Sequence, residues 1–255
     1  MDPTETIERA AYDAWPAEEV GDVDGWRLRA MRGVTHRANS VWALDATGDA
    51  SIGERIDRTE AWYASRHLTP TFQVTGRSRP EGLDGELARR GYRIEAPVSI
   101  QAAATSDVLT RTFEVDAVVA RELPDAWFEL SAYKGRFARV SDIYRGLLLR
   151  IGDRARFALA TIDGQPAAVG LGVISGGWMG IFSMLTLPST RRRGAARAIL
   201  GALAATAREE GAPGLYLQVE RENAVAIALY ASSSFRELYG YHYRVPGAAP
   251  IERHP

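Results

Sequence analysis

Two stretches of this chain read as the same succession of elements, and that limits the folds open to it more than any other feature. Thr59–Glu95 runs from a helical segment (TEAWYASRHL) into a short apolar strand (TFQV), a polar gap and then LDGELARRGYRIE. Leu203–Tyr239 runs from LAATAREEGAP into LYLQV, a polar gap and then AIALYASSSFREL. Each reads as helix, strand ending in Gln-Val, second helix, aromatic residue, strand. The interval from Val74 to Tyr92 differs from that between Val219 and Phe235 by two residues. Two readings stay open: any two αβαβ stretches share this look, or the chain is duplicated, with an amino-terminal and a carboxyl-terminal copy. Small and polar residues at Ala102–Ala117 follow the strand Pro97-Val98-Ser99-Ile100 and suggest domains of 1–110 and 111–255.

Composition narrows the function. At 255 residues and 46% hydrophobic, the chain can bury a sizeable core without metal or disulfide staples. Lys plus Arg is 31 against Asp plus Glu 32, so no basic excess speaks for nucleic acid. Cysteine is absent, which removes disulfides, thiolate metal sites and a catalytic thiol, and fits a reducing cytoplasm. The start, Met1-Asp2-Pro3-Thr4-Glu5, is acidic and unlike a signal peptide, and no run of about 20 apolar residues suggests a membrane span. His36, His67, His242 and His254 are scattered without metal-ligand spacing, so no metal is expected.

Upstream of residue 59, GWRLRAMRG and NSVWALD alternate like antiparallel strands. In the second half, Pro124–Leu149 reads as helical, and RFALATIDGQPAAVGLGVI and GWMGIFSMLTL read as a three-strand antiparallel meander. Asp163-Gly164 and Gly176-Gly177 mark its hairpins. The last strand of the meander, Phe182–Leu187, is stopped by Pro188. Arg191-Arg192-Arg193-Gly194-Ala195-Ala196 follows and opens a helix with an apolar face at Ile199, Leu200, Leu203 and Ala207, ending at Gly211. A strand feeding a glycine turn and a helix N-terminus is an anion site: free N–H groups and the helix dipole favour negative charge, and small side chains let a phosphate approach. The plainer alternative is an Arg-rich solvated turn. Gly170-Leu171-Gly172 sits inside a strand and reads as close packing rather than a dinucleotide turn.

One strand further on stands Asn223-Ala224-Val225-Ala226-Ile227-Ala228-Leu229-Tyr230, then Ser234-Phe235. Arg-x-x-Gly-x-Ala followed by Asn-x-x-Ala-x-x-Leu-Tyr-x-x-x-x-Phe resembles the signature of the GNAT superfamily of N-acetyltransferases, over roughly Pro124–Val245. The resemblance implies an α/β (α+β) fold, a mixed and mostly antiparallel sheet flanked by helices, in two tandem GNAT-like domains. It implies acetyl-CoA as cosubstrate, with Arg191, Arg192, Arg193, Gly194, Ala195 and Ala196 around its pyrophosphate. Leu185, Thr186 and Leu187 would offer a free strand edge to pantetheine, with a backbone N–H near Leu185 for the oxyanion. Asn223 and Ala226 would contact the cofactor, and Tyr230 would face its sulfur as general acid. Tyr230 as a packing residue, sharing a helix face with Ala226 and Leu229, is the alternative. Ser234 stands where the family usually has Gly.

The implied reaction is transfer of an acetyl group to a primary amine of a small molecule, amino acid or peptide, by direct attack through a tetrahedral intermediate. The strand Gly180–Thr186 carries no carboxylate for a general base; Glu220, Ser183 or a water chain are the alternatives. Trp127, Tyr133, Trp178 and Phe182 line an acceptor mouth or are simply core. The first half resembles a degenerate copy of a bacterial tandem GNAT protein, matching Gly25-Trp26-Arg27-Leu28-Arg29 and Arg37-Ala38-Asn39-Ser40. Its loop Ala46–Ser51 carries Asp49 and no arginine motif, so no cofactor is expected there. The rival from another class is a non-catalytic acyl-CoA sensor or interaction module.

Overall fold

The computed structural model describes residues 3–110, 115–133 and 137–247, with the side chain of Tyr133 outside that description. In chain order the elements begin with helix α1 (Pro3–Ala14) and strands β1 (Glu19–Val23), β2 (Trp26–Ala30) and β3 (Val41–Trp42). Helix α2 (Ile52–Ala64), strand β4 (Phe72–Thr75), helix α3 (Leu83–Arg89) and the long strand β5 (Tyr92–Ala104) follow. Next come α4 (Thr105–Leu109), β6 (Ala117–Ala120), α5 (Asp125–Phe128), α6 (Ser141–Ile151), β7 (Ala155–Ile162), β8 (Gln165–Ser175) and β9 (Trp178–Thr186). Helix α7 (Ala195–Glu209), β10 (Gly214–Glu220), α8 (Ala224–Ser232) and β11 (Arg236–Pro246) complete the chain.

The chain forms two compact units: residues up to Pro16 with Ser99–Tyr239, and Ala17–Val98 with the chain from Gly240 onward. A division after residue 110 differs from this at both ends. Helix α1 belongs to the first unit, where Ala10 lies beside Gly176 and Trp15 stacks on Phe182 at 5.2 Å. Strands β5 and β11 each give residues to both units. A boundary read from small and polar residues has no access to either fact.

In the first unit the strand order is β11-β5-β10-β9-β8-β7-β6. Strands β6 to β9 pair antiparallel, and β10 joins β9 in parallel. Asp163 and Gly164 both have positive φ (53° and 73°), as the two-residue turn between β7 and β8 requires, and Gly176-Gly177 turns β8 into β9 likewise. Helix α7 packs its apolar face on this sheet, burying Ile199, Leu200, Leu203 and Ala207 fully. A Cβ at Gly170 would lie 2.5 Å from Ile199 Cγ2, and one at Gly172 2.9 Å from Leu203 Cδ2. The two glycines are therefore the bed of the helix. Each fully buried leucine or isoleucine there contributes about 1.5–3 kcal/mol.

The stretch Pro124–Leu149 is not one helix. It breaks into α5, a π turn over Glu129–Tyr133, a 3₁₀ turn at Ala138–Val140 and α6. Trp127 explains part of this: it is fully buried, donates from Nε1 to Gly170 O at 3.0 Å and meets Phe157 edge-on at 5.1 Å.

In the second unit β1, β2 and β3 pair antiparallel, β3 and β4 pair in parallel, and Tyr241–Arg244 pairs antiparallel with β4. Its core gathers Trp26, Leu28, Ile56, Tyr63, Phe72, Leu83 and Leu87. Arg244 clasps Asp84 through two hydrogen bonds (2.7 and 3.0 Å) and lowers that carboxyl's pKa. Among the described residues no helix is long and apolar enough to cross a membrane. The packing at Gly170 yields a prediction: Gly170→Ala lowers stability to urea by about 1–3 kcal/mol through overpacking against Ile199 and Met184. Unchanged stability contradicts this account of how α7 is seated.

Candidate active site

Strands β9 and β10 lie side by side only from Met179 to Ile181, opposite Leu215 to Leu217. Beyond that both continue, but no pairing joins them, and the cause is visible on the other side of β9. Between Leu171↔Phe182 and Val169↔Leu185, β9 uses one residue more than β8. The extra residue makes a bulge, and Ser183 within it has φ 49°. A bulge bends its strand and raises the local twist, which turns the rest of β9 away from β10.

The gap opens into a cleft of ≈ 1340 Å³ with α7 and α8 on its walls. Of the residues singled out from sequence, Leu185, Thr186, Leu187, Arg191, Arg192, Gly194, Ala195, Ala196, Asn223, Ala226 and Tyr230 all line it. Arg193 does not: it faces away and pairs with Asp163 at 3.0 Å. Leu187 N–H donates to Ala167 O and Leu185 stands opposite Val169. By the alternation of an antiparallel ladder, Leu185 N–H is directed at β8 and Thr186 N–H at the gap. Thr186 N–H, one residue beyond Leu185, is thus a free donor on this edge.

The turn after β9 leaves its amides open. Arg191 N–H reaches Pro188 O, and Ala198 N–H starts the helix by donating to Gly194 O. Among the described residues, the N–H groups of Arg192 through Arg197 have no partner. Gly194, the N-cap of α7, has φ 89° and offers no side-chain cap. A helix start without a cap, at the floor of a cleft flanked by Arg191, Arg192 and Arg197, is built for an anion. The corresponding helix start in the second unit is different. Ser51 and Glu54 close a capping box on α2, so that helix satisfies its first amides with its own carboxylate. Arg55 fixes the loop before it by donating to the carbonyls of Thr47, Gly48 and Ala50. That S-x-x-E signal was present in the sequence and starts α2 seven residues earlier than the periodic stretch TEAWYASRHL.

Asn223 is the N-cap of α8 and accepts from Ala226 N–H at 3.1 Å. At the other end of α8, Ser234 has φ 73°; its N–H donates to Ala231 O and that of Phe235 to Tyr230 O. This is a Schellman ending with serine in the place usually taken by glycine. It seats Phe235 edge-on against Tyr230 at 6.0 Å. Tyr230 is buried among its neighbours, which pushes its pKa up to about 12. Glu220 is exposed at the end of β10 and lines no part of the cleft.

The proposed acceptor mouth is corrected in part. Trp127 and Phe182 are buried packing residues, Phe182 lying between Trp15 and Tyr216. Trp178 covers Gly214, and the Tyr133 side chain lies outside the described residues. Sequence reading missed Arg197, Val225, Leu229 and Ser232 on the cleft wall. The available signal was the run Ala224–Tyr230, a helix with no charged side chain to face solvent, on which Val225 is 84% exposed.

A family model described as "Probable histone acetyltransferase Rv0428c C-terminal" matches residues 4–244. The chain belongs to this Rv0428c acetyltransferase family of the GNAT superfamily. Its relatives include an uncharacterized N-acetyltransferase, YobR, of Bacillus subtilis, 28% identical over 96% of this chain and 99% of that protein. The probable histone acetyltransferase Rv0428c of Mycobacterium tuberculosis is 39% identical over 93 residues, 36% of this chain and 30% of its own length. A GCN5-related N-acetyltransferase from Kribbella flavida superposes with TM-score 0.66 at 14% identity, covering 97% of this chain and 95% of its own. A tandem GNAT protein from the clavulanic acid biosynthesis pathway superposes with TM-score 0.62 at 17% identity, over 78% and 70% of the two chains. The fold is thus GNAT-type, and the family's activity is acetyl transfer.

The Schellman ending generates a prediction for this GNAT protein. Ser234→Gly removes a side chain from a left-handed position and raises stability by about 1 kcal/mol, read as a higher thermal midpoint. A lower midpoint means the Ser234 hydroxyl bond to Asp107 O matters more than the strain.

Proposed function

We propose that the protein is an N-acetyltransferase that moves the acetyl group of acetyl-CoA to a primary amine by direct attack. The open amides of Arg192 to Arg197 carry this reading. They are the donors a pyrophosphate needs, at an uncapped helix start, with small side chains at Gly194, Ala195 and Ala196 leaving room for its approach. Arg191 and Arg192 add positive potential, whereas Arg193 is held by Asp163. The outward edge of β9, including Thr186 N–H, offers hydrogen bonds to the pantetheine amides in the way a sheet edge takes an added strand.

The chemistry follows from where that edge ends. A neutral amine attacks the thioester carbon, the C–N bond forms, and the carbonyl electron pair moves to oxygen. A backbone N–H on the open stretch of β9 stabilises that oxyanion. Collapse of the tetrahedral intermediate breaks the C–S bond, and the Tyr230 phenol donates a proton to the departing thiolate. The proton released by the amine restores the phenol through solvent, so the net reaction passes one proton from nitrogen to sulfur. Burial keeps Tyr230 protonated and thus able to donate.

The acceptor is an amine of a small molecule, amino acid or peptide, and the expected setting is the cytoplasm. The second half carries this activity as a tandem copy, and the first half, with its self-capped α2, serves as scaffold. The absence of a carboxylate between Gly180 and Thr186 favours a second reading, a non-catalytic acyl-CoA-binding module. Formation of an acetylated amine by the purified protein separates the two.

Two predictions test the site. Gly194→Glu weakens acetyl-CoA binding by about a hundredfold or more, since it places a carboxylate among donors worth about 1.5–3 kcal/mol each to an anion. Unchanged affinity in a folded variant removes the loop from the site. Tyr230→Phe leaves acetyl-CoA affinity intact and lowers kcat about a hundredfold. In the native protein kcat holds level past about pH 10, where an ordinary tyrosine is half ionised. A fall beginning there, or full activity of the Phe variant, contradicts the acid role.

A further inference from the structure

Two local irregularities in the first unit converge on one hydroxyl. Ser183 sits in the bulge of β9 with positive φ, a conformation a non-glycine residue adopts at a cost. Ser131 sits in the π turn, where an inserted residue rotates side chains off the α-helical track. Between them stands Tyr144 of α6, whose hydroxyl is 2.8 Å from Ser183 Oγ and 3.0 Å from Ser131 Oγ. Tyr144 is fully buried and is clamped by rings, Phe137 stacked at 4.0 Å and Phe128 at 6.3 Å. The phenol is therefore fixed in place. Packing alone requires neither the bulge nor the π turn, since an apolar ring would fill the same volume.

The position of Ser183 gives the arrangement a use. Its neighbours Met184 and Leu185 line the cleft, while its own side chain reaches the α6 side of the sheet. It stands beyond the last residue of β9 that pairs with β10, so the gap between the two strands begins beside it. An acyl group entering from the cleft emerges through that gap next to a half-buried hydroxyl. With one hydrogen bond given to or taken from Tyr144, Ser183 Oγ retains lone-pair capacity.

We propose that Ser183 Oγ accepts a hydrogen bond from the N–H of the attacking amine and aims its lone pair at the acyl carbon, with Tyr144 as the positioning residue that holds Ser183 and Ser131 as its anchor. No proton is transferred to Ser183; it orients. The inference rests on the acetyltransferase reading above. It also fits the lack of a carboxylate between Gly180 and Thr186: a neutral hydroxyl orients the acceptor, and the ammonium gives its proton to solvent before attack.

The test uses hexylamine joined to CoA through an acetamide bridge on the sulfur, a probe that carries the amine nitrogen as an N–H. Its dissociation constant and that of acetyl-CoA are measured calorimetrically for the native chain, Tyr144→Phe, Ser183→Gly and the double variant. Phenylalanine keeps the ring stacking, and glycine suits the positive φ, so both variants are expected to fold; thermal melting checks this. The ratio of the two constants rises about tenfold in each variant, the worth of one neutral hydrogen bond, with acetyl-CoA affinity unchanged. The double variant shows no further rise, because Tyr144 acts through Ser183. A ratio that does not move, or additive effects, overturns the inference while the acetyltransferase reading stands. Failure of the native chain to bind acetyl-CoA overturns both.

Discussion

The parting of β9 from β10 is the constraint on which the site depends. Parallel strands normally close every gap between them with hydrogen bonds, and an opening needs a cause in the backbone. Here the cause is a single additional residue in β9 opposite β8, which takes Ser183 into a left-handed conformation. The consequences run outward from it. The edge of β9 keeps unused donors, α7 and α8 become the walls of a cleft rather than a closed layer, and the turn at Gly194 lies at its floor. On the opposite face the Ser183 hydroxyl meets that of Tyr144, which in turn meets Ser131.

The two helix starts illustrate how the same element serves opposite ends. Helix α2 satisfies its first amides with Ser51 and Glu54, and gains stability from its own side chains. Helix α7 leaves the equivalent groups open and begins at a glycine with no cap. An uncapped start costs about 1 kcal/mol relative to a capped one. In the function proposed above, those donors beside several arginines serve the cofactor's pyrophosphate. The stretches β1 to β5 and β7 to β11 share one order of elements, and this local choice is a point at which they part.

Much of this was legible in the residues. Asp163-Gly164 and Gly176-Gly177 turn the strands where their chemistry demands, and Gly170 and Gly172 seat α7. The residues from Leu185 to Ala226 converge on one cleft because each belongs to a strand end or helix start whose spacing is local. What was hidden is non-local. The bulge follows from a mismatch in register between β8 and β9, which neither strand states alone. The breaking of Pro124–Leu149 owes part of its cause to Trp127 reaching Gly170 O, a contact 43 residues away. Arg193 looks identical to its two neighbours until Asp163 is placed beside it. Likewise α1 carries no mark of the strands it covers, and so a boundary drawn at residue 110 separated it from its own unit.

Calorimetric titration of the purified chain with acetyl-CoA, CoA and desulfo-CoA tests the central claim most directly. One site per chain is expected, with all three ligands bound to a similar degree because the open amides of Arg192 to Arg197 hold the part they share. Two sites per chain would contradict the contrast between α7 and α2. No binding would contradict the assignment of the cleft itself.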